Sequence, residues 1–249
     1  VAHLDPDLLL RAYSIGVFPM ADSRKARDVF WVEPKKRGVL PLDGFRMSRS
    51  LGKTIRSDRF RVTADQAFGQ VVSFCAEATA DRPDTWINPE IERAYAELHE
   101  RGHAHSIECW HDDELVGGLY GVRMGAAFFG ESMFSRMSDA SKVALAWLVA
   151  RMKVGNFRLL DCQFITNHLA SLGAIEIERE AYVGLLDEAL GIFPGGGGAG
   201  VINGGDASLS PSPDFFALER LADAATEEAV TVSGPISGHF ISQLLGHTS

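Results

Sequence analysis

Leu115-Val116-Gly117-Gly118-Leu119-Tyr120-Gly121, then Phe128-Phe129-Gly130-Glu131-Ser132-Met133-Phe134-Ser135, then a long apolar helix, then Leu160-Asp161-Cys162-Gln163: the reading of this stretch decides the fold. Short apolar runs bounded by glycine are the pattern of buried strands. One of these runs closes on a carboxylate, Glu131, and another on an Asp-Cys-Gln triplet. A carboxylate at the end of a buried strand needs a partner or a chemical role, because an unpaired charge is costly to bury.

Working outward, His105 to Trp110 precedes this stretch as a further strand, joined to Leu115–Met124 by His111-Asp112-Asp113-Glu114. Leu115–Met124 turns at Gly125 into Ala127–Phe134. Three adjacent strands on short turns predict an antiparallel meander. Downstream, Ser138 or Asp139 caps a predicted helix from Ala140 to Val154 that has little polar face and is therefore buried. Phe157–Cys162 follows as a strand, His168–Leu172 as a short helix, Ala174–Ile177 as a strand and Tyr182–Leu190 as a helix. Upstream, Pro6–Tyr13, Ser48–Ile55, Asp65–Cys75 and Glu90–Gly102 carry helical patterns, and Val29–Val32, Gly38–Leu40 and Phe60–Thr63 read as short strands. This order predicts an α+β fold: an acetyltransferase-like domain over residues 63–193, preceded by a small N-terminal α/β subdomain at 1–62. The Gly- and Ser-rich stretch from 194 to 249 reads as a largely flexible tail, with Phe240, Ile241, Leu244 and Leu245 as a local docking point.

Composition excludes several classes. The chain has 249 residues, 46% hydrophobic and 23% charged, which is ordinary for a globular protein. No apolar run is long enough for a membrane helix, and the N-terminal residues show no signal-peptide pattern; the cysteine usage fits a reducing cytoplasm, and a monomer is expected. Three cysteines in a chain of this length make no disulfide framework. His99, His103 and His105 lack the partners of a familiar zinc site, and Gly195–Gly198 lacks the Lys-Ser/Thr of a phosphate loop. The net charge is −9, yet nine basic residues stand against two acidic ones between Lys35 and Arg61. That block is either a polyanion-binding surface or a solvated face.

A set of motifs in one order resembles a known family. They are Ala12-Tyr13…Gly16-Val17-Phe18-Pro19, Trp31…Pro34…Arg37, Thr85-Trp86-Ile87, Leu98 to Glu108, Leu115–Gly121, Gly130–Ser135, Ala140-Ser141-Lys142, Asp161-Cys162-Gln163 and His168…Ser171-Leu172-Gly173-Ala174. Together they resemble the leucyl/phenylalanyl-tRNA–protein transferases, over roughly Leu8 to Tyr182. The resemblance implies transfer of Leu, Phe or Met from aminoacyl-tRNA to proteins that begin with Arg or Lys, marking them for degradation, without any cofactor or metal. It implies a donor side-chain pocket of Leu119, Phe128, Met133, Leu148 and Leu160, and an aromatic platform at Trp86 for the terminal adenosine. Each of these residues can also be plain core or loop packing. The family commonly has Trp after Phe-Pro, where this chain has Met20.

An aminoacyl ester is already activated, and an α-amine of pKa about 7.7–8.0 is roughly one-tenth neutral at pH 7. The chemistry therefore needs approximation of ester and amine, removal of a proton and an oxyanion partner. Strand alternation puts Asp161 and Gln163 on one face and Cys162 on the other. The expectation is that Gln163 positions the amine, Asp161 polarises or orients Gln163, and Cys162 is buried. Glu131 either bonds the donor's α-amine or ribose, or pairs with Arg136 or Lys142. Lys35, Lys36, Arg37, Arg49, Lys53 and Arg56 are the expected tRNA contacts. Two rival readings are an acetyl-CoA-dependent N-acetyltransferase and a non-catalytic RNA-binding module. The first is disfavoured because Ser135–Ser141 offers no glycine turn for a pyrophosphate, and the second leaves Glu131 and Asp161 unexplained.

Overall fold

The computed structural model describes residues 4–78, 84–192, 212–227 and 236–246. In chain order its elements are α1 (Pro6–Tyr13), β1 (Phe18–Met20), β2 (Phe30–Val32), β3 (Lys36–Val39), α2 (Arg49–Arg56), β4 (Arg61–Ala64), α3 (Phe68–Cys75), α4 (Pro89–Glu100) and β5 (Ala104–His111). Then come β6 (Glu114–Met124), β7 (Ala127–Ser135), α5 (Ala140–Val154), β8 (Leu159–Gln163), α6 (Asn167–Ser171), β9 (Ile175–Glu178), α7 (Arg179–Leu190), α8 (Ala217–Glu227) and α9 (Gly238–Gly246). Asp5, Ser48 and Asn88 cap α1, α2 and α4 by accepting from backbone N–H groups of the first turn, whereas the cap expected before α5 is absent: Asp139 sits at φ 69° and makes no capping hydrogen bond. α3 begins later than its apolar pattern predicts. Asp65 sits at φ 58°, and buried Glu108, on β5, accepts from the N–H groups of Gln66 and Ala67 in place of a side-chain cap.

Seven strands form one sheet in the order β4-β5-β6-β7-β8-β3-β9. The predicted meander is present as β5-β6-β7, and every pairing is antiparallel except β7 with β8. A parallel pair needs a crossover, which α5 supplies. α5 lies directly on β6: a Cβ on Gly117 would stand 2.4 Å from Ala140 Cβ. Helices cover both faces of the sheet. α1, α3, α4 and α7 bury one core with Tyr13, Tyr95 and Phe129, and α2, α5, α8 and α9 bury the other with Leu51, Trp147 and Phe128. Among the described residues no helix is long and apolar enough to cross a membrane.

Two departures from expectation concern the ends of the sheet domain. The boundary expected at residue 62 falls inside β4, and β3, on its N-terminal side, lies in the sheet between β8 and β9. Residues 36–64 therefore contribute two strands of the main sheet. The tail expected over 194–249 is corrected where it is described: α8 and α9 are docked helices. Phe215 is fully buried, stacked on His105 and Phe128, and Arg151 donates to the Phe215 carbonyl and to Glu219. Ile241 and Leu245 pack into the α5-side core. A glycine-rich composition masked these few well-placed aromatic and aliphatic anchors. The Gly195–Gly198 run lies outside the described residues. Phe215→Ala is expected to lower stability by about 3–5 kcal/mol, the usual cost of emptying a buried phenylalanine site, read as a fall in the urea midpoint at unchanged slope.

Candidate active site

β7 and β8 run together for only part of their length. Their parallel register covers Ala127↔Leu159, Phe128↔Leu160 and Phe129↔Asp161, after which β7 continues to Ser135 unpaired on that side. A β-bulge falls at the point of parting: Gly121 pairs with Gly130 and Tyr120 with Ser132, so Glu131 is the extra residue. A bulge bends its strand and re-aims side chains. Here it reverses the strand's alternation. Phe128 and Met133 pack on the α5 side, whereas Phe129 and Phe134 pack on the α1–α4 side. The strands splay, and the wedge between them is a cavity of about 460 Å³. Leu119, Met133, Leu145, Leu148, Leu160 and Leu169 make its lining mainly apolar. Trp86, Glu131, Gln163, Phe164, Thr166 and His168 bring aromatic and polar groups to the same space.

Glu131 is buried, and two phenols from the helices beneath it hold its carboxyl. Tyr13 donates to Oε1 at 2.7 Å and Tyr95 to Oε2 at 2.9 Å, and the two phenol oxygens are themselves 2.5 Å apart. The expected alternative partners, Arg136 and Lys142, are engaged elsewhere with Glu77 and Asp139. Burial pushes the Glu131 carboxyl up to about 7, against the pull of hydrogen bonds from Tyr13 and Tyr95 and of the Gln163 amide nearby. Burial and the Glu131 charge push both phenols far above their ordinary value, so each stays a donor. Neither Tyr13 nor Tyr95 is assigned a role at the site from sequence alone. The available signal was that each is a polar-tipped residue on a helix stripe that must bury its hydroxyl against something.

Asp161 does not line the cavity. It is fully buried behind it and accepts from Arg37 Nε at 2.9 and 3.0 Å, Arg37 Nη2 at 2.6 Å, Tyr182 at 2.7 Å and the Gln163 backbone N–H at 2.7 Å. This corrects the placement of Arg37, expected on a tRNA-binding surface. Arg37 is 1% exposed, lies between the rings of Phe18 and Tyr182, and donates its remaining Nη1 to the Gly16 carbonyl. Its neighbours in sequence are basic and exposed, and β3 alternation alone turns this one inward.

The expected facing of the triplet is likewise corrected. Leu160 and Cys162 share the cavity side of β8, and Asp161 faces the other way. Gln163 reaches the cavity because the strand ends there at φ 60°, outside strand geometry. Burial, reinforced by the Asp161 charge, raises the Cys162 thiol well above its ordinary value, so it is no thiolate nucleophile. Gln163 Nε2 and His168 Nε2 are buried with no hydrogen-bond partner among the described residues, and both side chains line the cavity. Two such atoms in one cavity call for a polar ligand group. Burial, then the nearby Lys142 charge, lowers the His168 imidazole below its ordinary value, so it is mainly neutral near pH 7.

Leu119, Met133, Leu148, Leu160 and Trp86 thus come together at the cavity. Phe128 and Met20 do not line it. Phe128 lies one layer deeper, stacked on Phe215, and Met20 is half-buried beside Trp86, packed into the α1–α4 core. The Trp86 loop is clamped to the segment after β1: Ala21 N–H donates to the Trp86 carbonyl, Arg24 to the Ile87 carbonyl and Glu92, and Asn88 to the Ala26 carbonyl. Outside the cavity, Arg49, Lys53 and Arg56 are exposed on one side of α2 and have no ion pair among the described residues, while Leu51 and Ile55 bury the other side. Lys35 is exposed, and Lys36 is paired with Glu176 and Glu178. In the turn before α5, Arg136, Ala140 and Ser141 use their N–H groups on Val116, Met137 and Ser135. That occupies three of the donors of this turn.

The sequence model described as leucyl/phenylalanyl-tRNA protein transferase matches residues 39–187, and that of the N-terminal domain of the same family matches residues 2–35. The leucyl/phenylalanyl-tRNA--protein transferase of Rhizorhabdus wittichii is 71% identical over 247 residues, covering 99% of each chain. That of Novosphingobium aromaticivorans is 48% identical over 264 residues, covering 99% of this chain and 97% of its own. That of Nitrobacter winogradskyi is 52% identical over 226 residues, covering 90% and 97%. By these matches, over a sheet whose splayed strands carry the shared motifs, the chain belongs to the leucyl/phenylalanyl-tRNA protein transferase family.

Proposed function

We propose that this enzyme moves Leu, Phe or Met from aminoacyl-tRNA to the α-amine of cytoplasmic proteins that begin with Arg or Lys, acting as a monomer. The observation that carries this reading is the cavity between β7 and β8, apolar along one side and ending on Glu131 and Gln163. An apolar side chain that is unbranched at Cβ, such as Leu, Phe or Met, suits the Leu119, Met133, Leu148 and Leu160 lining. The ester then lies toward Gln163 and Glu131, with the terminal adenosine on Trp86. Base stacking on such a ring contributes about 1–3 kcal/mol. The β5–β7 meander with a parallel, splayed β7–β8 pair supports an acetyltransferase-like domain that has lost the pyrophosphate-binding turn.

In this reading Gln163 receives the incoming amine at its amide oxygen, and its Nε2, without a partner among the described residues, donates to the ester end of the donor. Asp161 is a positioning residue. Its carboxylate holds the Gln163 N–H, and four further contacts from Arg37 and Tyr182 fill its remaining acceptor sites, leaving it no place for a substrate proton. Glu131 meets the polar end of the donor. The exposed Arg49, Lys53 and Arg56 on α2, with Lys35, meet the tRNA backbone.

The decisive assay offers labelled Leu-tRNA, free leucine or acetyl-CoA together with an Arg-initiated peptide. Label is expected to enter the peptide from Leu-tRNA alone; label from acetyl-CoA would establish the acetyltransferase instead. Gln163→Ala is expected to lower kcat/KM for transfer by about 100-fold through lost positioning, with the melting temperature unchanged. The triple variant R49A/K53A/R56A is expected to weaken tRNA binding and to flatten the slope of log K against log salt by about 2–3, measured by filter binding across a salt series. An unchanged slope would remove α2 from the tRNA surface.

A further inference from the structure

The geometry leaves one step of the transfer unassigned: which group removes the proton from the acceptor's ammonium. Asp161 is saturated with donors. Cys162 stays a thiol, and His168 carries an imidazole of lowered basicity. Among the described residues that line the cavity, Glu131 is the remaining carboxylate.

Its surroundings have an unusual proton count. The Tyr13 hydroxyl, the Tyr95 hydroxyl and the Glu131 carboxyl make a closed ring of three oxygen–oxygen contacts at 2.7, 2.9 and 2.5 Å. Each contact is within hydrogen-bond distance and needs a proton between its oxygens. The two phenols bring two. The third is present only when Glu131 is protonated. With Glu131 ionised, both phenols donate to the carboxylate and the short Tyr13–Tyr95 contact is left without a hydrogen.

We propose that the Tyr13–Tyr95–Glu131 ring is the proton acceptor of the transfer, with Glu131 as the catalytic base and Tyr13 and Tyr95 as positioning residues that set its proton affinity. The proposal rests on the aminoacyl-transfer reading above. The acceptor's ammonium gives a proton to the Glu131 carboxylate, which completes the ring. The freed nitrogen lone pair forms the bond to the ester carbonyl carbon. As the tetrahedral adduct collapses, the bond from carbon to the ribose oxygen breaks, its electron pair stays on that oxygen, and the oxygen takes the second amine proton. Ester and ammonium become amide and alcohol, with one proton left on Glu131 for release to solvent.

The groups that face Glu131 support a base poised near neutrality. Burial and the Asp161 charge on β8 raise its proton affinity, and hydrogen bonds from Tyr13 of α1 and Tyr95 of α4, with the nearby Gln163 amide of β8, lower it. Tyr120 of β6 lies against Tyr95, and the Arg37 guanidinium on β3 also acts on Glu131 but is neutralised by Asp161. Ionisation near pH 7 suits a base working at that pH.

The test has two independent readouts. In the free protein, the infrared carboxyl C=O band of Glu131 is expected to titrate with a midpoint near 7. The band should be absent in Glu131→Gln, and its midpoint should move upward in Tyr95→Phe and Tyr13→Phe, each of which removes a donor to the carboxylate. In transfer from Leu-tRNA to an Arg-initiated peptide, kcat should fall about tenfold for each pH unit below that midpoint. This limb should move with the midpoint in the Tyr→Phe variants and vanish from the residual activity of Glu131→Gln, at a rate lowered by about 10²–10⁴-fold. No titrating band near neutrality, or a limb that stays in place in all three variants, overturns the base assignment even if wild-type transfer is intact. Absence of transfer by the wild-type protein with a normal band would instead overturn the aminoacyl-transfer reading.

Discussion

The Arg37–Asp161 ion pair is the constraint on which the active-site region depends. Both side chains are fully withdrawn from water, and either one alone would be an uncompensated buried charge, a defect costing about 3–5 kcal/mol when such pairs are broken. The pair can exist only if several segments arrive together. β3 brings Arg37 and β8 brings Asp161. The turn after α1 offers the Gly16 carbonyl, β1 the Phe18 ring, and α7 Tyr182 with both its ring and its hydroxyl. A buried charge pair therefore acts as a registration device here, joining the N-terminal segments to the end of the strand that carries Gln163. Its hydrogen bond to the Gln163 N–H then fixes the backbone at the one point where β8 leaves strand geometry.

The second determinant is a single extra residue. Without Glu131 as a bulge, β7 would keep its alternation, and Met133 would fall on the side of Phe129, away from Leu119 and Leu148. With it, the apolar lining continues on the α5 side while the carboxyl reaches the phenols of α1 and α4. The bulge coincides with the end of the β7–β8 pairing, so one irregularity both opens the wedge and places the charged group within it.

Most elements were legible in the sequence because their signals are local. The meander, the buried helix α5 and the strand that follows it each follow from a few neighbouring residues. The misreadings share a different cause. Arg37 sits in a run of exposed basic residues, and nothing local distinguishes it from Lys35. Its role depends on Asp161, far away in sequence. Alternation along β8 was extended one residue too far, past the positive φ of Gln163. The phenols of Tyr13 and Tyr95 meet Glu131 only through the packing of two helices under the sheet. In the C-terminal region, composition diluted the few residues that dock it: Phe215, Leu218, Ile241 and Leu245 are all buried.

Those closing helices alter how the molecule looks from a distance. α9 packs against α2 from below, and the backbone N–H of Gly238, at its start, donates to Asp58 at 2.6 Å. Asp58 is one of only two acidic residues in the Lys35–Arg61 block, and its negative charge is drawn onto a helix N-terminus instead of lying among the arginines. Arg49, Lys53 and Arg56 thereby keep an exposed, positive side of α2 on a chain whose net charge is −9. Such a separation of charge contributes to the protein's electric dipole moment. Near a polyanion that moment exerts a torque, so the molecule is turned to face its target during diffusion, before any contact forms.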